Sequence, residues 1–233
     1  MMVNQDLINL IKSSTIALGL VKKGENNPQV IVGSGFLFDS TGYFITASHV
    51  AQQCKDLHTL YQKKNIEMEV VMITETSSKD KVGFSIGVVD KFTLLEQENI
   101  PEGSSIPKEI DVACGMPKAK LAGLPFLKIK ESSKLTVFDE VLMCGSSGSP
   151  ILDIEGDVVA IAQAVIPTSV TNNNNWVGSA NMGLVHGVTH WIFSEFVKST
   201  KKYYDTGIKD PTPIPIPHTI LKIPEFIRDD SKR

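Results

Sequence analysis

The spacing of hydrophobic positions changes character early in the chain. Residues 3–12 set Val3, Leu7, Ile8, Leu10 and Ile11 among polar neighbours, the pattern of a short amphipathic helix. From residue 14 onward, runs rich in β-branched and aromatic residues alternate with Gly, Asn, Asp, Ser and Pro. These runs predict strands at 14–22, 29–38, 43–48, 66–74, 82–94 and 110–114. Six strands of that length suffice to close a small antiparallel barrel. A Pro-containing connection at 115–125 leads to a second group at 126–130, 140–144, 151–154, 158–166 and 181–188. Gly156-Asp157 is a hairpin signal between two of them, and Asn172 to Asn175 read as a polar loop.

The segment from Val188 predicts a closing helix on which Trp191, Ile192 and Phe196 share a face. Prolines then alternate with apolar residues over 211–224, which favours an extended polyproline arm. The domain reading is an N-terminal helix at 1–13, a first β-unit at 14–117, a second β-unit with its helix at 118–204, and a Pro-rich tail at 205–233.

Composition narrows the classes of function. A chain of 233 residues with 42% hydrophobic content can bury a substantial core. A formal charge of −3 with balanced acids and bases argues against dedicated nucleic-acid or membrane-surface binding. No run of 18 apolar residues is available for a membrane span, and no signal-peptide pattern opens the chain. Three cysteines, Cys54, Cys114 and Cys144, do not make an even-numbered disulfide framework, so a reducing, cytoplasmic setting is expected.

Three local signatures follow one another in a defined order. Ile45-Thr46-Ala47-Ser48-His49-Val50 ends a strand that follows Gly33-Ser34-Gly35-Phe36. Asp111-Val112-Ala113 is read as the end of a later strand, and Gly145-Ser146-Ser147-Gly148-Ser149-Pro150 comes last. Acyl transfer needs a hydroxyl made nucleophilic by a neighbouring base, and a third group that holds the base in one tautomer. A serine flanked by glycines allows close backbone approach and the special dihedrals of an oxyanion-binding turn.

Taken together, the motifs T-A-x-H-V, D-V-A and G-x-S-G-S-P in the order His, Asp, Ser resemble the chymotrypsin-like serine peptidases. GSGFLFDSTGYFITASHV and SGSPILDIEGDVVAIAQ are similar to the bacterial HtrA-like and glutamyl-endopeptidase-like members over roughly residues 14–200. The resemblance implies an all-β fold of two antiparallel β-barrels with a C-terminal helix; the short stretch before the serine motif leaves room for an abbreviated second barrel. It implies His49 as general base, Asp111 as its orienting carboxylate and Ser147 as nucleophile, with His49 and Ser147 within hydrogen-bond reach. It gives the oxyanion hole to the N–H groups of Gly145 and Ser147, and substrate pairing to the strand carrying Gln163, Ala164 and Val165. Gly183 matches a glycine of the primary specificity pocket. With Val141 it brings no fixed charge, so a small or apolar P1 side chain is expected. No cofactor is implied, and the partner is a protein or peptide substrate.

Other constellations rank lower. Asp90 rivals Asp111 for the third role. His186-Gly187-Val188-Thr189-His190 has zinc-helix spacing, but Gly187 stands where the catalytic Glu would be, so no metal site is expected. An α/β-hydrolase using Ser147 and His186 would need alternating helices that the pattern lacks, and Ser149 spoils the nucleophile elbow. Cys144, three residues before Ser147, reads as a small buried hydrophobe.

Two departures from the family matter. Ser146 occupies the position where zymogen-type members carry an acid, so activation by a newly cut N-terminus is not expected. The interval from Asp111 to Ser147 is only 36 positions, short for two additional strands with their connections. The expected function is therefore a serine endopeptidase working through an acyl-enzyme. The rival is a catalytically impaired protease-fold module that binds extended peptides or a partner. The 28 residues after Asp205 are too few for a further peptide-binding domain. Their Ile-Pro alternation suits an arm docking on an apolar groove of the same barrel or of another subunit, as in a homo-oligomer.

Overall fold

The computed structural model describes residues 5–78, 81–96, 109–131, 141–143, 145–172 and 175–207. Helix α1 (Gln5–Ser14) carries the predicted amphipathic stripe and sends Ile11 into the main core. Strands β1 (Thr15–Lys22), β2 (Pro28–Leu37), β3 (Phe44–Thr46), β4 (Met68–Ser78), β5 (Lys81–Glu96) and β6 (Glu109–Pro117) follow. They close an antiparallel barrel in the order β1-β2-β3-β6-β5-β4. Its strands are the six that the alternating pattern predicts.

Two local features differ from the sequence reading. The strand expected at 43–48 stops at Thr46, and Ser48–Lys63 form a helix, α2, whose buried residues are Ser48, Val50, Ala51 and Cys54. That narrow stripe docks with Ala47 on Ile16, Leu18, Leu37, Phe44 and Met72 of the barrel. Asp111 is not the end of a strand but the third residue of β6. The strand continues because Ala113, Cys114 and Gly115 pair with Thr46, Ile45 and Phe44 of β3. Gly115 is required there: a Cβ would lie 2.0 Å from the Phe44 ring.

The second unit, expected as a barrel, is an open four-stranded sheet among the described residues. Strands β7 (Leu142–Met143), β8 (Pro150–Leu152), β9 (Val158–Asn172) and β10 (Asn175–Thr189) are ordered β10-β9-β8-β7. The predicted strand at 126–130 is reduced to a single parallel bridge, Ile129 to Val158. Asn172 and Asn175 are paired strand ends rather than loop residues, so the hairpin is longer than its sequence suggests. Helix α3 (His190–Thr206) closes the fold and is capped by Gly207 in the left-handed conformation, whose N–H returns to the Tyr203 carbonyl. The side chains of Trp191 and Ile192, and the whole tail from residue 208, lie outside the described residues.

One core joins the two units. Phe36, Ile45, Val112 and Cys114 of the barrel belong to the same buried cluster as Leu152, Val158 and Ile161 of the sheet and Phe193 and Phe196 of α3. Helix α3 is further tied to the barrel by Tyr43, whose hydroxyl donates to Asp205 at 3.0 Å, and by Lys201, which bridges Asp39 and Asp205. The shared core fixes the sheet, and the serine turn it carries, against the barrel.

Candidate active site

His49 is the second residue of α2, immediately beyond β3. The chain must turn there because Ala47 stays extended, at φ −75° and ψ 145°, before the helix begins. Its imidazole Nδ1 lies 2.7 Å from Asp111 Oδ2. The other carboxylate oxygen, Oδ1, accepts the His49 backbone N–H and the Ser48 hydroxyl, both at 2.9 Å. Strand β6 thus delivers a carboxylate whose two oxygens receive three bonds from two consecutive residues. Such charge-assisted contacts fix ring orientation and tautomer together. The His49 side chain is 39% exposed and that of Asp111 25%, so the ring faces solvent on its far side while the acid sits behind it. Asp90 lies exposed on β5 and makes no bond to His49.

The serine turn is held by both units. Ala162 of β9 holds two successive residues of the turn: its N–H donates to the Ser149 carbonyl at 2.9 Å, and its carbonyl accepts the Gly148 N–H at 2.7 Å. On the barrel side, Ser34 N–H of β2 donates to the Ser147 carbonyl at 2.9 Å. Gly148 adopts φ +88°, and a Cβ there would lie 2.2 Å from the Ser34 carbonyl and 2.5 Å from Thr46 Oγ1. Only glycine fits. Gly145 also has positive φ, +122°. Among the described residues, neither the Gly145 nor the Ser147 N–H donates to a protein acceptor. Two such donors, one on each side of Ser146, can receive a developing oxyanion.

The Ser147 hydroxyl donates to the carbonyl of Gln163 on β9 at 2.8 Å, and no hydrogen bond links it to His49. The structure thus joins His49 to Asp111 and turns the serine hydroxyl toward the sheet. Gln163, Ala164 and Val165 lie on the stretch of β9 beyond its pairing with β8, which ends at Pro150 opposite Ile161. Their other edge pairs with β10, Val185 against Val165 and His186 against Ala164. Gly183 falls in the interruption of that register between Asn181 and Val185. Exposed Val141 precedes β7.

Competing nucleophiles are poorly placed. Ser149 is fully buried, and its hydroxyl has no partner among the described residues. Burial pushes the Cys54 thiol up to about 12 and raises Cys114 further, so neither offers a thiolate near neutral pH. Cys144 is outside the described residues. Among the described residues, one acidic group, Asp153, Glu155 and Asp157, has metal-like proximity. Lys130 already bridges Asp153 and Glu155, supplying the compensating charge.

No protein-family model matches the chain. It is 25% identical over 150 residues to a probable periplasmic serine endoprotease, DegP-like, of Chlamydia pneumoniae, covering 60% of this chain and 30% of that protein. The corresponding protein of Chlamydia muridarum is 23% identical over 146 residues, covering 59% and 29%. The chain resembles the HtrA-type, chymotrypsin-like serine peptidases. It spans less than a third of the length of these curated relatives. Among solved structures, Deg5 aligns with a TM-score of 0.47 at 12% identity, covering 85% of this chain and 92% of Deg5. The HtrA-type protease AlgW with a decapeptide aligns at 0.49 and 12% identity, covering 84% and 67%.

Sequence reasoning missed Ser48 as the second donor to Asp111 and gave Ser34 no part in the site. The first could have been found, since it adjoins His49 within the motif. The second lies 112 positions from its contact Ser146 and leaves no local signal.

Proposed function

We propose that the chain is a serine endopeptidase that cleaves extended protein segments through an acyl-enzyme. The observation carrying this reading is the double hold of Asp111 on His49, ring and backbone together. That hold commits Nδ1–H to the carboxylate and leaves Nε2 as the free base on the open side of the ring.

In the reaction, the Ser147 hydroxyl rotates from the Gln163 carbonyl to His49, which takes its proton as Oγ bonds to the scissile carbonyl carbon. The carbonyl oxygen becomes an oxyanion against the Gly145 and Ser147 N–H groups. Asp111 balances the imidazolium. His49 then delivers the proton to the leaving amine as the C–N bond breaks. Water, deprotonated by His49, hydrolyses the ester and restores Ser147. Rotation of Ser147 also frees the Gln163 carbonyl to accept a backbone N–H of a peptide lying along β9. A primary pocket bounded by Val141 and Gly183 would carry no fixed charge and would take a small or apolar side chain. The relatives' names as serine endoproteases support the reaction class. Buried free Cys54 and Cys114 suit a reducing, cytoplasmic setting.

The rival is a protease-fold module that binds peptides without cutting them. Turnover of an unfolded protein substrate by the wild type, abolished in Ser147→Ala, supports the peptidase. Peptide binding of equal strength by both proteins, with no turnover, selects the module.

A further inference from the structure

Strand β2 ends its pairing with β3 at Gly35, which faces Thr46. The next position, Ser34, has no β3 partner, and the serine turn takes that place on the strand edge. Every residue from 145 to 147 meets Ser34. Its N–H donates to the Ser147 carbonyl at 2.9 Å. Its Oγ accepts the Ser146 N–H at 3.2 Å and lies 3.0 Å from Ser146 Oγ. At Gly145 an added Cβ would lie 3.0 Å from Ser34 Oγ and 3.4 Å from Ser34 Cβ. Ser34 itself is fixed, because its carbonyl accepts the Thr46 hydroxyl at 2.7 Å and its backbone pairs with Ala17 of β1.

The three successive N–H groups of the turn have unequal fates. The middle one, of Ser146, is taken by the Ser34 hydroxyl, while those of Gly145 and Ser147 have no protein acceptor among the described residues. A turn with Gly145 at φ +122° has little intrinsic preference for this arrangement, since glycine crosses dihedral space at low cost. We propose that Ser34 is a positioning residue: its hydroxyl captures the Ser146 N–H and so keeps the Gly145 and Ser147 donors together and available for an oxyanion. The inference rests on the peptidase reading for its consequence in catalysis, but the hold on the turn is a property of the folded chain alone. Ser34 acts through the turn and touches no reacting atom.

The Ser34–Ser146 contact is exposed, so water replaces it when the hydroxyl is removed and the effect on stability is small. The effect on the transition state is not, because an oxyanion donor contributes about 10²- to 10³-fold only when already in place. Ser34→Ala should lower kcat by roughly 10- to 100-fold with KM little changed, an indirect share of that contribution. Ser34→Thr, which keeps the hydroxyl, should recover most of the loss, and Ser34→Val, of the same shape without it, should not. The amide hydrogen exchange of Ser146 is measured on the same proteins, with Ser147 labelling by a fluorophosphonate as the control for the peptidase reading. Faster Ser146 exchange in Ser34→Ala and Ser34→Val, together with the kcat loss, supports the proposal. If the wild type is never labelled, the peptidase reading fails, and Ser146 exchange alone decides whether Ser34 holds the turn. Unchanged exchange in Ser34→Ala, or wild-type kcat in a labelled Ser34→Ala protein, overturns the role of Ser34.

Discussion

Asp111 holds His49 at two points: one carboxylate oxygen lies 2.7 Å from the ring Nδ1, and the other accepts the backbone N–H of the same residue at 2.9 Å. The backbone bond places the α2 terminus, and the ring bond then orients the side chain on it. Asparagine in place of Asp111 keeps the shape but presents an amide to Nδ1, which favours the wrong tautomer and cannot balance an imidazolium. Asp111→Asn should therefore reduce kcat by about 10⁴-fold with little change in melting temperature. Steady-state kinetics beside a thermal melt checks this, and an activity within tenfold of wild type would remove Asp111 from the role.

Gly148 is the most constrained backbone position of the serine turn. Its φ of +88° and the 2.2 Å approach that a Cβ would make to the Ser34 carbonyl act in the same direction. Gly148→Ala should destabilise the fold by at least about 2 kcal/mol and abolish labelling of Ser147. Urea denaturation reads the first effect. A midpoint equal to wild type would mean that the turn is looser than described.

Helix α3 docks through a titratable cluster. Lys201, then Tyr43 and Lys120, hold the Asp205 carboxyl below its usual value of 3.8 against a counteracting desolvation. A carboxylate with a depressed folded-state pKa contributes stability that is fully present above the unfolded value and lost as pH falls through the folded one. The wild type should thus lose stability on acidification from about pH 5 downward. Asp205→Asn should lose less over the same window while starting lower at pH 7. Parallel pH profiles for the two proteins in urea denaturation would contradict the assignment.

The fold was readable where each element carries its own period. The six barrel strands alternate over enough residues to declare themselves, and His49, Asp111 and Ser147 sit in compact motifs. Helix α2 escaped because its buried stripe, Val50, Ala51 and Cys54, is short and built from small residues, and because the histidine motif drew the preceding strand past its true end. The extent of β6 was hidden by Gly115 and Pro117, which read as turn residues. The ring of Phe44, a residue far away in sequence, makes Gly115 a strand position. The Ser147–Gln163 and Ser34–Ser146 contacts are tertiary and have no sequence signature at all.

The Ile-Pro alternation of residues 211–224 gives a separate expectation, that of an extended arm docked on this chain or on another copy. Truncation after Gly207 leaves the α3 cap intact. It should lower the melting temperature or change the number of subunits seen by sedimentation. The same melting temperature and the same subunit number for the full and truncated chains would make the segment a passive linker.

The central claim is that Ser147 is a nucleophile activated by His49. The most direct measurement is covalent labelling of the wild-type protein by a fluorophosphonate, with the modified residue located by mass spectrometry and the rate followed. A single adduct on Ser147 is expected, formed at a measurable rate by the wild type and lost in His49→Ala and in Ser147→Ala. An unlabelled wild-type protein, or an adduct on any other residue, would contradict it.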